Sequence, residues 1–63
     1  MEFYGIYCLS YQYDRDTLQD FFKTDFDMLI RLAELTNDSY YDIHVMKFNP
    51  DLGYEVIATF LKD

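Results

Sequence analysis

One cysteine in 63 residues, Cys8, excludes an internal disulfide, and small secreted domains of this size commonly depend on several. A reducing, cytoplasmic setting is therefore expected. Two glycines are too few for a glycine-rich phosphate loop. No apolar run approaches the roughly 20 residues of a membrane span, and Met1-Glu2 leads into Phe3 without the basic segment of a signal peptide, so a soluble chain is expected. Basic residues are scarce as well: five Lys and Arg stand against twelve Asp and Glu, for a net charge of -7. Such a surface repels DNA, RNA and anionic lipid, which attract Lys and Arg. A protein partner, if there is one, should be basic.

What is present is apolar and aromatic. An apolar fraction of 51% and an aromatic fraction of 21% are too high for a disordered chain. A chain this short buries only about 60% of its unfolded surface, enough for one small domain over residues 1–63 and no second one.

Phe3 to Tyr13 is dense in aromatic and β-branched side chains, among them Tyr4, Ile6, Tyr7, Tyr11 and Tyr13, and reads as a first strand. Its alternation is soft, with apolar residues on both faces. Asp14-Arg15-Asp16-Thr17 breaks it, and Thr17 with Asp20 resembles a capping box that opens a helix. Leu18, Phe22, Phe26, Leu29, Ala33 and Thr36 recur at steps of three and four and predict the core face of that helix, running to about Leu35. Thr24 with Asp27 repeats the capping signature and predicts a break or kink near Lys23. Asn37-Asp38-Ser39 ends the helix. Tyr40–Phe48 and Tyr54–Leu61 read as two further strands joined by the hairpin loop Asn49-Pro50-Asp51-Leu52-Gly53. Folding them about Asp51 sets Phe48 opposite Tyr54, Lys47 opposite Glu55, Met46 opposite Val56 and Val45 opposite Ile57. The expected fold is α+β, a single helix packed on a three-stranded antiparallel sheet in the order strand, helix, strand, strand. The first strand then pairs with the last, as in a split β-α-β unit.

Chemistry-bearing groups are few. Asp14-Arg15-Asp16 and Asp25-Phe26-Asp27 lack the central glycine and terminal Glu of a calcium loop, so no metal site is expected. His44 has no second ligand in sequence, and Cys8 has no base flanking it, so neither motif nor cofactor site is expected and the chain reads as a non-enzyme. The carboxylates cluster on the predicted helix and its flanking turns. They form either an acidic face that imitates the phosphates of nucleic acid or a plain solvated helix face, with the first acids favouring the helix N-terminus. Seven Tyr and six Phe exceed what one thin core needs and suit an interface.

A very short, acidic, Tyr- and Asp-rich domain of this outline resembles the small inhibitors encoded by phages and mobile elements, and most of all the type II anti-CRISPR proteins. The resemblance implies stoichiometric inhibition in the cytoplasm of a bacterial host. The acidic surface would occupy the basic site of a nucleic-acid-binding protein such as Cas9 and exclude duplex DNA or guide RNA. Asp14, Asp16, Asp20, Asp27, Glu34 and Asp38 would then pair with basic residues, and Tyr11, Tyr13, Tyr40 or Tyr41 would add packing area. The rival is a small homodimer or regulatory module that uses an uncovered sheet face around Met46, Phe48, Tyr54, Val56 and Phe60.

Overall fold

The computed structural model describes residues 5–38 and 41–61, and backbone but not side chain at Tyr41. Its elements are β1 (Tyr7–Tyr13), β2 (Asp16–Phe22), α1 (Asp25–Asn37), β3 (Tyr41–Asn49) and β4 (Gly53–Phe60). The class is α+β, but the sheet has four strands in the order β2-β1-β3-β4, all pairs antiparallel. The sequence-based expectation of three strands is corrected at Asp16–Phe22, which is a strand and not the first half of a helix. Asp14 adopts a positive φ of 58°, a left-handed conformation that Asp tolerates, and Asp14-Arg15 thereby makes a two-residue hairpin with Tyr13 opposite Asp16. The alternation of Leu18, Asp20 and Phe22 fits that ladder as well as a helical step of four.

The helix begins where the second capping signature stands. Thr24 is the N-cap, its hydroxyl oxygen accepting the Asp27 N–H at 3.2 Å. Asp25 and Asp27 lie in the positively polarised first turn. At the other end the Asp38 N–H donates to the Glu34 carbonyl at 3.0 Å.

Strand β1 is antiparallel to both neighbours, so β2 and β3 run in the same direction on either side of it. The split β-α-β unit is therefore present, but it is β2-α1-β3 with β1 inserted. The expected pairing of the first strand with the last is replaced by β1 with β3, and β4 is left at an edge. The loop between β3 and β4 follows its sequence. The Leu52 N–H donates to the Asn49 carbonyl at 3.3 Å, the Asn49 side chain accepts the Asp51 N–H at 2.8 Å, and Gly53 takes a φ of 83°.

Three expected cross-strand pairs are present, Phe48 with Tyr54, Lys47 with Glu55 and Met46 with Val56. The fourth is corrected: Val45 opposes Ala58 because Ile57 is an extra residue in a β-bulge. Past the bulge the faces exchange, so Phe60 opposes buried Ile43 and leaves the face that carries Met46 and Phe48.

The core lies between the helix and one sheet face and comprises Leu9, Tyr11, Met28, Leu35, Ile43 and Val45, with Tyr7, Phe22 and Leu32 packed against it. The helix thus buries Met28, Leu32 and Leu35. Of the stripe expected to face the core, Phe22 does pack against it, from β2, whereas Phe26 and Leu29 are instead outward, exposed by 69% and 53%, as is Ile30 beside them at 49%.

The opposite sheet face is closed at one end. The Tyr54 ring lies 5.6 Å from Phe21 and 5.4 Å from Phe48 between centroids, and its hydroxyl donates to the Gly5 carbonyl. Gly5 itself lies close against the backbone of β2, where a Cβ would sit 2.6 Å from the Phe22 carbonyl oxygen. On this face Cys8, between Phe21 and Met46 in the two ladders, is buried.

Candidate acidic interface

Arg31 ties helix to sheet. Its Nε donates to Asp20 Oδ2 at 3.2 Å and its Nη2 to the Tyr11 hydroxyl at 3.3 Å, while that hydroxyl donates to the same Asp20 oxygen at 2.9 Å. Hydrogen bonds from Arg31 to Tyr11 and then to Asp20 hold the guanidinium protonated above its ordinary range. Burial raises the Tyr11 phenol above its ordinary value, with Asp20 adding to the rise and Arg31 opposing it. Arg31 also approaches Glu34 at 3.9 Å.

Asp27, Arg31, Glu34 and Asp38 follow one another at steps of four, three and four, so they share one flank of α1. Because Arg31 reaches Asp20, that flank is turned toward β2. Asp16 and Asp20, four residues apart on β2, point to the same sheet face, and Asp14 stands in the adjoining turn. Of the six carboxylates singled out in sequence, Asp20 is the one on β2 that Arg31 links to the acidic flank of α1. Five are exposed: Asp14, Asp16, Asp27, Glu34 and Asp38. Asp20 is half-buried and spent on Arg31 and Tyr11.

The tyrosines divide differently. Tyr11 is 4% exposed and belongs to the core, so it offers no packing area to a partner. Tyr13 is exposed at the end of β1. Tyr40 and the side chain of Tyr41 lie outside the described residues. The exposed helix residues Phe26, Leu29 and Ile30 escaped the site reading because their spacing is the same as that of a buried stripe.

One local rule is broken here. The last turn of α1 carries no basic residue, yet it is followed by Asp38 and preceded by Glu34. Carboxylates near the negative end of a helix dipole cost a few tenths of a kcal/mol each, about 0.3–1 kcal/mol at most for exposed groups. Arg31, three residues before Glu34, offsets part of that cost; Asp38 has no such neighbour one turn back.

Burial first, and the nearby Asp20 charge second, push the Cys8 thiol up to about 11 from 9.0, so it is protonated at neutral pH and a poor nucleophile. His44 opposes Ser10 and has its Nδ1 3.3 Å from the Thr59 hydroxyl. Among the described residues no three His, Cys, Asp or Glu side chains are grouped to hold a metal ion, and no helix is long and apolar enough to cross a membrane. No protein-family model, curated protein or solved structure compared with this chain matches it.

Proposed function

We propose that the protein is a non-enzymatic inhibitor whose acidic side occupies a basic nucleic-acid-binding site and excludes the nucleic acid. What supports this reading is the run of Asp27, Glu34 and Asp38 along the flank of α1 that Arg31 ties to Asp20 of β2, with Glu34 and Asp38 at the helix end whose dipole disfavours acids. Carboxylates on a helix and a hairpin can meet Arg and Lys with charge-assisted hydrogen bonds and draw a basic partner in by electrostatic steering. The resemblance to type II anti-CRISPR proteins makes Cas9 the first partner to test, in the cytoplasm of a bacterial host.

The test is cleavage of duplex DNA by guide-loaded Cas9 with and without an equimolar amount of the protein. Cleavage should be suppressed at low salt and recover toward about 0.5 M salt, where the Debye length falls to a few ångströms. A triple variant, Asp27→Lys, Glu34→Lys and Asp38→Lys, should lose inhibition yet still unfold cooperatively, since cations at the helix C-terminus offset part of what is lost with Asp27 in the first turn and with the Arg31–Glu34 contact. Undiminished cleavage with the wild-type protein would remove Cas9 as the target. Retained inhibition by the triple variant would remove the acidic side as the cause.

Self-association is the second reading, and one observation favours it. The edge strand β4 exposes Val56, Ile57 and Phe60, followed by Leu61, beside a single charge, Glu55. Met46, Phe48 and Tyr54 are half-buried, so a homodimer surface would be narrowed to β4. A dimer by light scattering that Ile57→Glu converts to a monomer would support it.

A further inference from the structure

The outer face of α1 is as apolar as its inner face. Phe26, Leu29, Ile30 and Ala33 fall at i, i+3, i+4 and i+7, and all four are exposed. A surface helix of a globular domain ordinarily carries one apolar stripe, and a helix apolar on two sides is one that is covered on both. The stripe is bordered by acids. Asp25 stands four residues before Leu29, while Asp27 and Glu34 stand three before and four after Ile30.

We propose that this stripe docks a basic amphipathic helix of the partner, its apolar side chains meeting Phe26, Leu29 and Ile30 and its Lys or Arg meeting Asp25, Asp27 and Glu34. The proposal rests on the acidic-partner reading above and supplies the apolar centre that reading lacks. Interfaces draw most of their energy from a few desolvated anchors ringed by polar contacts, and carboxylates alone supply mainly rate and specificity.

Charge selects the occupant. A second copy packed antiparallel across a two-fold axis would bring like flank against like flank, setting Asp27 of one copy beside Glu34 of the other. With a net charge of -7 per chain, that contact is opposed throughout. Anionic lipid and nucleic acid are repelled by the same border. A basic helix satisfies both the stripe and its rim.

The probe is a fluorescent leucine/lysine peptide of about five helical turns, with leucines on one face, compared with a peptide in which serine replaces every leucine. Fluorescence anisotropy at physiological salt should show binding of the leucine/lysine peptide and at least about tenfold weaker binding of the serine/lysine peptide. The double variant Phe26→Ser, Ile30→Ser should weaken the first peptide by about tenfold or more and leave the thermal unfolding midpoint nearly unchanged, because both side chains are exposed. Equal binding of the two peptides would overturn the docking surface while leaving the acidic side intact as an electrostatic site. Unchanged affinity of the double variant would overturn it as well. Failure of both peptides to bind would remove the docking surface together with the basic-partner reading. A dimer that the double variant dissolves would assign the stripe to a second copy and overturn the proposal.

Discussion

Strands β1 and β4 belong to one sheet and draw on similar residue types, yet they meet opposite environments. Four consecutive residues of β1, Cys8 to Tyr11, are buried, two beneath the helix and two beneath the opposite face. From Glu55 to Phe60 every residue of β4 is exposed, including Val56, Ile57 and Phe60. Position explains the contrast. β1 lies between β2 and β3, under α1 on one face and, on the other, with Cys8 flanked by Phe21 and Met46 of the neighbouring strands. β4 is an edge strand, and among the described residues its contact with the rest of the fold beyond β3 is made at Tyr54, whose hydroxyl reaches Gly5 and whose ring meets Phe21. Stability in this domain is thus concentrated around β1, and β4 contributes mainly backbone pairing.

Substitutions measure that asymmetry. The largest effect is expected from Leu35→Ala, which removes a fully buried side chain from the helix layer that covers β1; urea unfolding should show a loss of about 3 kcal/mol. Next comes the pH dependence of Cys8. Its thiol is raised in the folded state, so its contribution is complete below pH 9 and disappears as the pH climbs through about 11. Over that window stability should fall by about 2 kcal/mol, and Cys8→Ala should flatten the decline. A parallel slope in the variant would mean that Tyr11, also raised, carries it. Tyr11→Phe keeps the ring in the core but removes the hydroxyl between Arg31 and Asp20; denaturant melts should register about 1 kcal/mol. Least of all, Ile57→Ala on β4 should cost less than about 1 kcal/mol in the same melts. A cost equal to that of Leu35→Ala would show that β4 is covered in solution and break the comparison.

The same contrast explains how much could be read beforehand. The β3–β4 hairpin was legible because Pro50 and Gly53 fix a turn whose register follows from its length. The helix start was legible at Thr24, a cap with a clear chemical signature. Strand β2 was not, because Leu18 and Phe22 satisfy a helical step of four and a strand alternation equally, and only pairing with β1 decides. The inward face of α1 was ambiguous for a related reason: Met28, Leu32 and Leu35 compete with Phe26, Leu29, Ile30 and Ala33 at the same spacing. The acidic set was recognisable as a composition, but its members meet through an Arg31–Asp20 contact between helix and strand, which no periodicity encodes. Tyr11 looked like a surface aromatic because a strand buried on both faces shows no alternation.

The extra residue at Ile57 gives β4 an inverted parity beyond that point. Because Ile57 is the residue without a partner, deleting that one codon would straighten the ladder and leave Ala58, Thr59 and Phe60 opposite Val45, His44 and Ile43 as they are now. Which side the strand's C-terminal third presents is therefore set by where one extra residue is accommodated, so that Val56 and Ala58, two apart in sequence, face opposite sides of the sheet.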